Sequence, residues 1–173
     1  VLHVEKQKSR DATMAAVRLK SPCNNIASLP GRKPGKVMLI GIGPGKGDWR
    51  TPEASRWVHS ADELVGYGLY IDLLGSVAAH LPRKDFALGE EEARCRYALE
   101  TAAKGRDVAI ICSGDAGIYA MGALVFELLD REPQNGGVTA AAHRVQILSA
   151  PGISALQAAA AQRKTVQQCQ AER

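Results

Sequence analysis

The chain has few aromatic residues: two Phe, two Trp and four Tyr, 5% of 173 residues. Its hydrophobic content is nevertheless 46%, so a core must be built from Val, Ile, Leu and Ala. No apolar run approaches the roughly 20 residues of a membrane helix, which argues against a membrane partner. No block of about five or six like charges occurs either, which excludes a basic arm for nucleic acid; the net charge is only +4. Cys23, Cys95, Cys112 and Cys169 form no C-x-x-C pair, and His3, His59, His80 and His143 are scattered. That pattern lacks zinc-site spacing, and no metal site is expected. Free thiols without a signal peptide fit a reducing, cytoplasmic setting. Cys112, closing an apolar run, reads as a small core residue.

What is present is an alternation of short apolar runs with helical patterns. The length fits one domain, or one domain with appendages. Residues 1–20 read as the end of a preceding domain. Residues 21–35 hold Pro22, Asn24, Asn25, Pro30, Gly31 and Pro34, the composition of a linker. Lys36 to Ile40 is an apolar strand. Thr51-Pro52-Glu53 then starts a helix with a capping hydroxyl, a proline at the first helical position and an acid in the first turn. That helix is expected to end near Ser60. Glu63 to Val65 is a second strand, ending at Gly66-Tyr67-Gly68, and residues 69–74 a short helix. Glu90-Glu91-Glu92 opens a helix that closes at Lys104-Gly105. Asp107 to Cys112 is a third strand. The helix after it, at 122–130, sets Met121, Leu124, Val125 and Leu128 on one core-facing side. Arg144 to Leu148 is a fourth strand, followed by an Ala-rich helix from Ser154. The alternation predicts an α/β fold with a mostly parallel sheet flanked by helices.

Right-handed crossovers place the strand-to-helix elbows of such a sheet along one edge, where open α/β sheets bind ligands. Four Gly- or Pro-rich elbows are expected there: 41–47, 66–68, 113–117 and Pro151-Gly152. Shape alone leaves the elbow at 113–117 equally open to a reading as a tight turn with an N-cap. A dinucleotide loop does not fit, because Lys46 stands where G-x-G-x-x-G from Gly41 needs a glycine, and Gly66 rather than an acid ends the second strand. Asp62 precedes that strand and is a poor substitute. A P-loop fails because Gly47 sits where Ser or Thr must reach magnesium. Lys46 reads either as a solvated loop residue or as a contact to substrate carboxylates.

Taken in order, Gly41-Ile42-Gly43-Pro44-Gly45, Gly66-Tyr67, Gly114-Asp115 and Pro151-Gly152-Ile153-Ser154-Ala155 resemble the tetrapyrrole (corrin/porphyrin) methylases. Three longer strings, 65–72, 112–121 and 152–160, are similar to the branch that methylates C-17 of precorrin-3B in cobalamin biosynthesis. The resemblance runs over 36–161, which it identifies as the N-terminal domain of a two-domain methylase. It implies S-adenosylmethionine as cofactor and a precorrin-type tetrapyrrole as substrate, methylated with ring contraction. It implies cofactor contacts at Pro44, Ser113, Gly114, Asp115, Ile118, Ser154 and Ala155. Gly43, Gly45, Tyr67, Gly68 and Tyr70 fall on the substrate side. Tyr67 and Tyr70 read equally well as core packing with hydroxyls at the rim. The protein's task in such a reaction is to hold the reacting atoms aligned at roughly 3–3.5 Å.

Departures from the family pattern carry their own expectations. Gly68 stands where related methylases can carry an Asp, so the resemblance names no general base and the catalytic residues stay unassigned. Trp49-Arg50 replace an apolar pair. The family's second domain is missing, and 162–173 read as a divergent tail, so a truncated copy is expected. Residues 4–13 resemble the close of a CbiG-type cobalamin protein, which would make the chain a piece of a fusion. Family members often pair, so a homodimer is a further expectation. The alternatives are another tetrapyrrole methylase of the same fold and an inactive tetrapyrrole-binding fragment.

Overall fold

Alternate residues of the apolar runs point to opposite sides of a sheet, and both sides are filled. In a computed structural model of the protein, residues 33–118 and 120–161 are described. They contain β1 (Lys36–Gly41), α1 (Pro52–Ser60), β2 (Glu63–Tyr67), α2 (Gly68–Asp72), β3 (Arg83–Phe86), α3 (Glu91–Ala103), β4 (Val108–Cys112), α4 (Met121–Asp130) and β5 (Gln146–Ala150). A further helix occupies 155–161. The expected tails at 1–20 and 162–173, most of the linker at 21–35 and the CbiG-like segment lie outside the described residues.

The five strands form one sheet in the order β3-β2-β4-β1-β5, and every pairing is parallel. Val37 and Leu39 of β1, with Val108, Ile110 and Cys112 of β4, pack on one side against Cys95, Ala98 and Leu99 of α3 and Val125 and Leu128 of α4. Met38 and Ile40, with Ala109 and Ile111, pack on the other against Ala54 and Val58 of α1 and Ile71 of α2. Strands buried on both faces read as unbroken apolar runs, which is why β1 and β4 are plain in the sequence. Burial pushes the Cys95 and Cys112 thiols up to about 12, so both behave as core residues rather than nucleophiles.

The start of α1 follows local chemistry. Thr51 Oγ1 accepts from the Ala54 amide at 3.1 Å, with Pro52 next in line. The strand at β3 is absent from the sequence reading. Its residues, Arg83-Lys84-Asp85-Phe86, contain no apolar run, and the first three are exposed. A charged edge strand of this kind blunts pairing with other chains and leaves no hydrophobic signature. β5 begins two residues later than Arg144, because residues 142–144 make a turn of 3-10 helix first.

One polar cluster holds the amino-terminal end of the sheet. Glu63, 5% exposed at the start of β2, accepts from Tyr97 Oη at 2.8 Å. Its other oxygen lies 2.7 Å from Arg106 Nη1, a charge contact without hydrogen-bond alignment. Asp62 binds the Asp107 amide at 2.8 Å, so it serves this opposite end of the sheet and not a ribose. The hydrogen bond to Glu63 raises the Tyr97 phenol above its usual 10.0, followed by desolvation. A raised pKa means that the phenol's stabilisation is complete below pH 10 and is lost as pH climbs through the folded-state value. Tyr97→Phe is therefore expected to cost about 1–3 kcal/mol in urea unfolding at pH 7, the cost of leaving a buried acceptor unpaired. The gap to the wild type should stay flat to pH 9 and narrow above about pH 10. Equal stabilities at pH 7 would contradict this account of Glu63.

Candidate functional site at the carboxyl edge of the sheet

Because the strands are parallel, the elbows after β1, β2, β4 and β5 all leave from the same edge. Two of them are tied to each other by backbone. Gly43 and Gly114 exchange hydrogen bonds at 3.1 and 2.9 Å, an antiparallel bridge between two turns of an otherwise parallel sheet. The fourth elbow lies against this bridge so closely that a Cβ on Gly152 would overlap the Gly114 carbonyl oxygen. Gly114 itself sits at φ 66°, in the left-handed region that costs an L side chain roughly 1–2 kcal/mol. Space is open around it, the nearest atom being 3.8 Å from a Cβ built there. Gly114 is thus demanded by conformation and Gly152 by contact.

Asp115 completes the tie. Its Oδ1 accepts from the Gly117 amide at 2.7 Å and its Oδ2 from the Gly152 amide at 3.0 Å. The first bond closes its own turn. The second spans the gap to the β5 elbow. Thr51, the cap of α1, adds a long hydroxyl contact of 3.4 Å to the Pro151 carbonyl.

The second elbow is built differently. Tyr67 and Tyr70 meet edge to face, with centroids 5.3 Å apart and planes at 81°. Beside Gly68, Arg83 clamps Asp85 at 2.8 and 2.6 Å and Asp72 at 2.6 Å. The Arg83 guanidinium holds the Asp85 carboxyl below the usual carboxylate range, and the two carboxylates raise Arg83 in turn.

Two adjoining clefts open at this edge. The larger, about 320 Å³, is lined by Ser113, Gly114, Asp115, Ile118, Ser154, Ala155 and Leu156. Of the residues expected at a cofactor, only Pro44 lies outside this lining; it is exposed on the first elbow. The smaller cleft, about 190 Å³, shares Ser113 and includes Tyr70, Arg94 and Met121. Tyr67, Gly68, Gly43 and Gly45 border neither cleft. Leu156 and Arg94 are additions the sequence reading missed. Leu156 had a signal, an apolar residue opening the helix after an elbow; Arg94 had none. The rim is apolar as well as glycine-rich: Leu69, Leu88, Ile118 and Leu156 are exposed shortly after the carboxyl ends of strands, and the exposed Leu73 lies beside Gly45. Among the described residues, no group of three or more His, Cys, Asp or Glu converges as metal ligands. No described helix is long and apolar enough to cross a membrane.

With that geometry in place, the family model for tetrapyrrole (corrin/porphyrin) methylases matches residues 36–173. The chain belongs to that family. Among curated relatives of this methylase chain, it is 36% identical over 144 residues to the cobalamin biosynthesis protein CobIJ of Mycobacterium bovis, covering 80% of this chain and 26% of that protein. It is 34% identical over 127 residues to a precorrin-3B C(17)-methyltransferase of Sinorhizobium sp, covering 73% and 47%. Among solved structures it is similar to the methyltransferase CobJ, with a TM-score of 0.60 and 37% identity over 73% of this chain and 50% of that one. The methylase chain thus spans between a quarter and a half of the length of these relatives.

The lacing of the elbows is testable by stability. Asp115→Ala is expected to cost about 1–2 kcal/mol in urea unfolding, from the loss of its two charge-assisted hydrogen bonds to the Gly117 and Gly152 amides. Gly152→Ala should cost more than Gly114→Ala, because backbone must move at the first site whereas only one torsion is strained at the second. The reverse order would show that contact does not govern this rim.

Proposed function

We propose that this chain is a C-methyltransferase domain of cobalamin biosynthesis, using S-adenosylmethionine to methylate C-17 of a precorrin-type tetrapyrrole. The observation that carries the reading is the larger cleft, formed by the Ser113–Ile118 and Ser154–Leu156 segments at the laced elbows. Its lining fits the cofactor. Ile118, Ala155 and Leu156 offer an apolar wall, while Ser113, Ser154 and the Gly114 backbone offer hydrogen-bonding groups beside it. Small-molecule sites combine these features. Relatives at 36% and 34% identity, named 'Probable cobalt-factor III C(17)-methyltransferase' in Salmonella typhimurium and 'Precorrin-3B C(17)-methyltransferase' in Sinorhizobium sp, support methylation at C-17 of a macrocycle of this class.

When bound, S-adenosylmethionine supplies an electrophilic sulfonium methyl. The chain's own contribution is orientation and the exclusion of water. Gly114 and the two serines hold the donor. Asp115 fixes the elbow they stand on, through its bonds to Gly117 and Gly152. Gly43, Gly45 and Gly68 leave the rim low, so that a flat macrocycle can lie across it, and Tyr67 and Tyr70 bound it on the side of the second elbow. Pro44 keeps the first elbow rigid beside the donor. The exposed leucines of the rim cover with the ligand in place.

The test is calorimetric titration of the chain with S-adenosylmethionine, followed by transfer of labelled methyl to a precorrin-3-type substrate. Ile118→Asp is expected to weaken cofactor binding about tenfold through lost apolar contact. The melting temperature should barely move, because Ile118 is 57% exposed. No binding by the wild type would overturn the reading. Binding without transfer would favour a tetrapyrrole-binding module over an enzyme.

A further inference from the structure

Arg94, on the first turns of α3, is only 3% exposed, yet it has no ion pair among the described residues. Its Nε is buried without a partner. Nη1 approaches the Met121 sulfur at 3.6 Å and Nη2 donates to the Ala87 carbonyl at 3.3 Å; neither neighbour carries charge. The contrast with other arginines is sharp, since Arg83, Arg96, Arg106 and Arg131 are all more exposed and all form salt bridges. Glu91, one turn earlier, makes no salt bridge with Arg94. Its carboxylate accepts from the Gly89 amide at 3.1 Å. It is held below the usual carboxylate range first by backbone N–H groups, with Arg94 a lesser cause.

A guanidinium removed from water without an anion is costly, and a carboxylate brought to it offsets that cost with paired hydrogen bonds. Arg94 lines the smaller cleft, which is about 190 Å³ and includes Tyr70, Ser113 and Met121. That volume admits a short acidic arm and not a whole macrocycle or nucleoside. Ser113 lines both clefts, so a ligand seated in the larger one can reach the smaller.

We propose that Arg94 anchors a ligand carboxylate in this smaller cleft. The inference rests on the methylase reading above. The carboxylate belongs either to an acidic arm of the macrocycle or to the amino-acid end of the cofactor. Tyr70 and Ser113 stand beside it as hydrogen-bonding neighbours, and Glu91, facing the same cleft, disfavours a second anion.

The experiment uses the full chain with two probes: uroporphyrin III, a tetrapyrrole bearing carboxylate arms, followed by quenching of protein fluorescence, and S-adenosylhomocysteine, followed by calorimetry. Arg94→Met should weaken one probe by at least about 30-fold while leaving the other within about twofold. Loss of uroporphyrin III assigns the carboxylate to the macrocycle, and loss of S-adenosylhomocysteine assigns it to the cofactor. Removing an unpaired buried charge should also raise the melting temperature of Arg94→Met. Unchanged affinity for both probes, with a lowered melting temperature, overturns the inference and leaves the methylase reading standing. A wild-type chain that binds neither probe overturns both. If Arg94→Met does not fold, Arg94→Lys decides the matter: it keeps the charge but loses the planar fork. Weaker binding of one probe than in wild type supports the anchor, and equal affinity for both excludes it.

Discussion

The rim depends on one contact between main chains. Gly43 and Gly114 pair across two turns, Gly152 is pressed against the Gly114 carbonyl, and Asp115 closes the β4 turn with one oxygen and joins it to the β5 turn with the other. Backbone is the stiffest material a protein has, and these bonds use it directly. A site built on loops would ordinarily be loose, since loops lack the repeated pairing of a sheet. Here the sheet's hydrogen bonding continues past the strands into the turns, so the cleft inherits the order of the core beneath it.

The charged residues divide by purpose along the same axis. Away from the rim, carboxylates and basic side chains neutralise one another: Glu63 with Arg106 under the start of β2, Lys36 with Asp107, Glu92 with Arg96 and Arg131. Most of these are at least partly exposed and contribute little individually. At the rim the polar groups are of a different kind. Ser113 and Ser154 face the cleft, while Asp115 is consumed by backbone donors. Arg83 is fully matched by Asp72 and Asp85 on the β3 side. Among the described residues, the ion pairs lie on partly exposed cations of the scaffold, and the buried Arg94 forms none.

Much of the architecture was legible because the strands and helices carry regular patterns. β1 and β4 announce themselves as apolar runs, α1 by Thr51-Pro52, and α4 by its spacing of Val125 and Leu128. β3 was not legible, because an exposed edge of Arg83, Lys84 and Asp85 carries no periodic signal. The β5 boundary was displaced because Arg144 belongs to a tight turn that propensity does not separate from a strand. At the site, the residues that line the larger cleft could be named from family strings, but the geometry that joins them could not. Nothing local ties Asp115 to Gly152, which is 37 positions away. Arg94 was hidden for a related reason: on a helix with a weak division into faces, burial of a basic residue is decided by what α4 and the β3–α3 loop place over it.

The close approach of Gly152 to Gly114 also divides the rim into what can vary and what cannot. The frame is made of main chain and tolerates no added atoms at its crossing point. Four lining side chains above it bear no share of that frame: Ile118 and Leu156 are exposed, and Ser113 and Ala155 stand on elbows already fixed. Such an arrangement uncouples ligand preference from foldability. Laboratory evolution aimed at a new ligand for this cleft would find its freedom at those four positions, and could alter them together without first having to rebuild the domain.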